Sequence, residues 1–140
     1  MQRGRVRVFK TKAFARFVRR ENVDRATLCK AIRNAERGLI DADLGGGVIK
    51  QRIARPGKGK SGGFRTMVVY KSGTRAVFVH GFAKSDRANI REDELAALKA
   101  LATELLGYDA KTLAKAVASG TLIEVQYDER EEDGEEQTVS

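Results

Sequence analysis

From Arg5 to Phe9 polar and apolar positions alternate, with Val6 and Val8 set between Arg5, Arg7 and Phe9, which is the period of a short strand. The period then lengthens. Phe14, Phe17 and Val18 share one side of a helix and Arg16, Arg19 and Arg20 the other, with Thr11 placed to cap the first turn. Asp24 opens a second helix whose stripe of Leu28, Ile32, Ala35 and Leu39 steps by four, three and four, with Gly38 near its end. After Gly45-Gly46-Gly47 the alternation returns: Val48 to Ala54 places Ile49 and Ile53 on one face and Lys50 and Arg52 on the other, a candidate wet face. Arg55 to Gly63 holds four glycines and a proline in nine residues and reads as a flexible basic loop unable to sustain a central strand. Phe64 to Tyr70 and Arg75 to Phe82 are the clearest strands, joined by the turn Lys71-Ser72-Gly73-Thr74. Leu95, Leu98, Ala102, Leu105 and Leu106 then make an amphipathic helix that stops at Gly107, with Asn89 a candidate cap. Asp109 to Ser119 predicts a last helix with Leu113, Ala114 and Val117 inward, and Thr121 to Tyr127 a last short strand.

The order β-α-α-β-β-β-α predicts a small α+β domain: an antiparallel sheet with two N-terminal helices on one face and a C-terminal helical extension. The other face is expected to be left to a partner. Residues 1–107 are expected to form the core, 108–127 an extension packed on it, and 128–140 an acidic disordered tail. A chain of 140 residues has length for one domain of this kind, and no internal repeat is visible.

Charge divides the chain in two. Residues 1–91 hold 23 basic and 6 acidic side chains, net +17, whereas residues 92–140 hold 4 and 13, net −9. The first half calls for a polyanionic partner such as a nucleic acid. No stretch approaches the ~18 consecutive apolar residues of a membrane span and the N-terminus lacks the apolar run of a signal peptide, so the expected compartment is the cytoplasm. One cysteine, Cys29, and one histidine, His80, cannot build a Cys/His zinc cage, and no metal or cofactor is expected.

The chemistry concentrates in two stretches. Gly59-Lys60-Ser61 copies the last three letters of a phosphate-binding P-loop, yet Ala54 stands where the motif's first glycine belongs and a strand follows where a helix should. Lys58 and Lys60 nevertheless sit among glycines that let backbone amides approach a phosphate. Arg65 lies opposite Phe64 by alternation, together with Met67 and Val69; it is either an ordinary cross-strand charge or a fork of donors for a phosphate. Beyond the last long strand come Lys84, Arg87 and Arg91, with Asp86 available to pair with either neighbour. His80 reads as a half-buried strand residue or as a proton shuttle, and Cys29 as core.

The run Lys58-Gly59-Lys60-Ser61-Gly62-Gly63-Phe64-Arg65 resembles the Gly-Lys-x-Gly-Gly-x-Arg signature of the RelE/HigB branch of bacterial type II toxins, and Phe78 to Ile90 resembles the lysine-bearing segment that ends the family's sheet. The similarity covers about residues 5–106. It implies a ribosome-dependent mRNA interferase that cleaves mRNA in the ribosomal A site, without metal, by attack of a ribose 2′-OH on the adjacent phosphate. It further implies Lys58, Lys60, Arg65 and Lys84 as catalytic residues, and a cognate antitoxin, expected to be a helix-turn-helix protein encoded by the adjacent gene. Arg52, Arg55, Arg87 and Arg91 are the candidate RNA-binding residues around them. The chain departs from the pattern where some relatives carry an arginine and a tyrosine, here Ser85 and Arg91, so that the family's acid is left to Tyr70, His80 or a lysine. Two other readings use the same residues: a ParE-like DNA gyrase inhibitor on the same fold, and a non-catalytic RNA-binding domain. The acidic stretch from Asp128 to Glu136 is expected either to solubilise the chain or to fold back over the basic site.

Overall fold

The computed structural model describes residues 6–57, 59–86 and 89–128, with 59–61 as backbone alone. Strand β1 (Arg7–Thr11) runs straight into helix α1 (Lys12–Glu21), because Thr11 keeps an extended backbone while its Oγ1 accepts the Phe14 N–H at 3.2 Å. Helix α2 (Arg25–Glu36) starts the same way, Asp24 accepting from the Thr27 N–H at 2.9 Å. It ends earlier than its stripe suggests. The chain turns away through Gly38, whose φ of +84° favours glycine, so Leu39 leaves the helix and is 62% exposed while Leu28, Ile32, Ala35 and Cys29 are buried.

Four further strands follow: β2 (Ala42–Gly45), β3 (Val48–Arg55), β4 (Gly59–Lys71) and β5 (Arg75–Ala83). Strand β2 has no signal in the alternation; it exists because the Gly45-Gly46-Gly47 turn folds it back on β3. The expected loop over 55–63 is mostly strand. Arg55 pairs with Gly59 across a turn containing Pro56 and Gly57, and Gly63 accepts the Lys84 N–H at 3.4 Å, so neighbours on both sides of β4 supply the order its glycines lack. Helix α3 (Glu92–Gly107) begins at Arg91 and not Asn89, the Glu94 carboxylate accepting the Arg91 N–H at 2.9 Å. Helix α4 (Ala110–Ala118) buries Leu113 and Ala116, and Ala114, expected inward, is exposed because it stands off that three-residue step. Strand β6 (Leu122–Val125) closes the described chain. The acidic stretch beyond Asp128 lies outside the described residues.

The sheet order is β2-β3-β4-β5-β1-β6, with β1 parallel to β5 and every other pair antiparallel. Helices α1 and α2 cover one face, where Phe14 and Phe17 pack with Phe64 and Phe78. Gly81 permits that approach: a Cβ there would sit 2.8 Å from the Phe17 ring. The second face is not left open as expected. Strand β4 sends Val68 to one face and Val69 to the other, so both need cover, and Ala102, Leu105, Leu113 and Ala116 of α3 and α4 supply it over Val69, Val77 and Phe9. What stays accessible on this second face is a polar area around Lys50, Arg52, Arg65 and His80.

Candidate functional site

Register builds this area one rung at a time. Arg52 of β3 lies directly opposite Arg65 of β4, which lies opposite Phe82 of β5; the next rung is Lys50, Met67 and His80. Opposed residues in an antiparallel pair share a face, with Cβ atoms ~5 Å apart. Met67 and Phe82 belong to the core under α3, which places Lys50, Arg52, Arg65 and His80 on the α3 face. The alternation in β3 predicts the wet face of Lys50 and Arg52, and that in β4 the placement of Arg65 beside Met67 and Val69.

His80 reaches that face through an irregularity. The β4–β5 register shifts between Met67 and Val68, so Val79 and His80 point the same way, Val79 into the core and His80 into the open area. The His80 ring leans on Phe82 with centroids 5.7 Å apart and planes at 55°.

The two arginines are balanced unequally. Asp41 accepts the backbone N–H of Arg52 and stands 3.7 Å from its Nε, so Arg52 has a counter-charge. Arg65 has none among the described residues, and its Nε is buried with no hydrogen-bond partner. Two like charges on one rung repel, and a buried donor left unmade costs about 1–3 kcal/mol. An anion bridging the two guanidinium groups would offset their repulsion.

The other expected residues divide. Lys84 is exposed just past β5, held beside β4 by its N–H to Gly63, one strand end away from Arg65. Arg55 is drawn elsewhere: its guanidinium lies 5.3 Å from the Phe64 ring, on the α1–α2 face, where it borders a cleft of about 500 Å³ with Asn22, Asp24 and Pro56. Arg91 ion-pairs with Asp93 at 3.2 Å and Glu94 at 3.9 Å at the start of α3. Lys60 belongs to β4 by its backbone; its side chain, Lys58 and Arg87 lie outside the described residues. Asp41, which steadies Arg52, was missed by sequence reasoning because it follows α2 outside any periodic segment.

Residues 6–125 match the family model described as RelE toxin of the RelE / RelB toxin-antitoxin system. The chain belongs to the RelE toxin family. As a RelE toxin it is the toxin component of a toxin–antitoxin system, and an antitoxin is its implied partner. No curated protein matches it. The match passes beyond the 5–106 suggested by the motifs, through α4 and β6, so the RelE region includes the strand that borders β1. Among the described residues of this RelE toxin no helix is long and apolar enough to cross a membrane, and no group of three or more His, Cys, Asp or Glu is placed to hold a metal ion.

Proposed function

We propose that this RelE toxin is an mRNA interferase, cutting mRNA in the ribosomal A site by attack of a ribose 2′-OH on the adjacent phosphate. The observation that carries the reading is Arg65, a guanidinium with a buried, unpartnered Nε facing a second arginine across one rung. Such a pair takes the two non-bridging oxygens of a phosphodiester and holds the added charge of the pentavalent phosphorus. Lys84 supplies a further cation at the strand end, and Lys58 and Lys60 are the family-implied loop lysines, one of them, in its neutral form, the base for the 2′-hydroxyl. Side-chain cations thus do the work that a metal ion does in other nucleases. Arg52 and Arg87 extend the RNA track, whereas Arg55, on the α1–α2 face, and Arg91, ion-paired at the start of α3, stand apart from it. The antitoxin, read as a helix-turn-helix protein from the neighbouring gene, silences the toxin by covering this face, and the place of action is the cytoplasm, where ribosomes are.

The test is cleavage of an mRNA on purified ribosomes programmed with a defined A-site codon. Arg65→Ala is expected to slow cleavage by about 10²–10³-fold with an unchanged circular dichroism spectrum. A folded R65A that cuts at the parent rate refutes the site. A parent toxin that spares mRNA on the ribosome but blocks supercoiling by gyrase refutes the reaction and supports the gyrase reading.

A further inference from the structure

The proposed cleavage needs an acid for the departing 5′-oxygen, and Tyr70, His80 and the lysines are the candidates the sequence leaves open. The two ring-bearing candidates stand on opposite faces of the sheet. Tyr70 packs with the α1–α2 core, and its hydroxyl donates to Glu36, a carboxylate that also accepts the Gly73 N–H at 3.0 Å. Burial and Glu36 together push the Tyr70 hydroxyl up to about 12, further from proton release near neutrality. It cannot reach a phosphate held by Arg65.

His80 is one rung from Arg65 on the same face, a diagonal neighbour at a Cβ separation of ~7 Å. An arginine side chain extends roughly that far from its own Cβ, and the His80 ring lies 5.7 Å from that of Phe82, which stands opposite Arg65. Among the described residues, Lys50, Arg52 and Arg65 are charged groups that share the face with it. We propose that His80 is the general acid of this toxin, placed there by the bulge in β5. This rests on the interferase reading. In the step, the 2′-oxygen loses its proton to the neutral loop lysine and bonds to phosphorus, the P–O5′ bond breaks, and the 5′-oxygen takes the Nε2 or Nδ1 proton of the His80 imidazolium. The products are a 2′,3′-cyclic phosphate, a 5′-hydroxyl and a neutral imidazole, with the proton count unchanged.

A substrate with sulfur in place of the bridging 5′-oxygen separates this role from a structural one, because a thiolate leaves without protonation. On ribosomes programmed with the ordinary mRNA, His80→Gln and His80→Phe, the second keeping a ring against Phe82, are expected to lose about 10²–10⁴-fold in cleavage rate. With the 5′-thio mRNA both are expected to cut within a few fold of the parent, whereas Arg65→Ala remains slow on both substrates. Equal losses on the two substrates, or a parent-like rate for either folded variant on ordinary mRNA, overturn the assignment of His80 and leave the interferase reading standing. A parent toxin that cuts neither substrate overturns both.

Discussion

Tyr70 and His80 sit on neighbouring strands, and what separates them is one extra residue. Strict alternation from Val77 puts Val79 on the α3 face and His80 with the α1–α2 core; the register shift between Met67 and Val68 turns His80 over. Nothing in the order of side chains announces that shift, since a bulge is set by which strand pairs with which, and pairing is a long-range matter. Arg65 was legible for the opposite reason: its strand alternates without interruption from Phe64 to Tyr70. Its missing partner was not legible, because the absence of a carboxylate around a side chain is a property of three strands together. Tyr70→Phe follows from the same contrast. Removing the hydroxyl strips one donor from Glu36, which keeps the Gly73 N–H, so a loss of about 1–2 kcal/mol in urea unfolding is expected with mRNA cleavage undiminished. Loss of cleavage in a stable Y70F protein contradicts the division of faces.

Helix starts are the elements most fully written in local sequence. Thr11, Asp24 and Asp109 each stand before a helix and each accept an N–H three residues on, at 3.2, 2.9 and 2.8 Å. Local chemistry suffices for a cap, whereas β2 and the first half of β4 exist only because neighbours pair with them. The Asp24 cap carries a pH signature. The Thr27 hydroxyl and backbone N–H hold its carboxyl below the ordinary value of 3.8, so its contribution is complete above that value and fades as pH falls through the lower folded one. Asp24→Ala is therefore expected to cost about 1 kcal/mol at pH 7. The gap between parent and variant should narrow in thermal or urea unfolding below about pH 4. A gap that widens with acid contradicts the cap's role.

For the molecule as a whole, the parallel contact of β1 with β5 joins the first described strand to the second-last, and β6 then borders β1 from the far end of the chain. Apart from β2, the order of strands and helices is readable from the sequence, but the insertion of β1 between β5 and β6 is not, since it depends on pairing across about half the chain on one side and most of it on the other. The segment after Gly107 consequently belongs to the core: Leu113, Leu122 and Val125 are buried, and three such side chains contribute about 4–9 kcal/mol of a typical 5–15. A chain ending at Gly107 is expected to lack a cooperative thermal transition and to elute as aggregate on gel filtration. A monomeric product with the parent's Tm contradicts that expectation.

The placement of β6 also sets a clock. Arg65 is synthesised 60 residues before Val125, and at ~5–20 residues per second translation takes about 3–12 s to cover that distance. Until it does, the outer edge of β1 is unpaired and Leu122 and Val125 are missing from the two halves of the core. The core of the toxin is thus completed only seconds after Arg65 has been made.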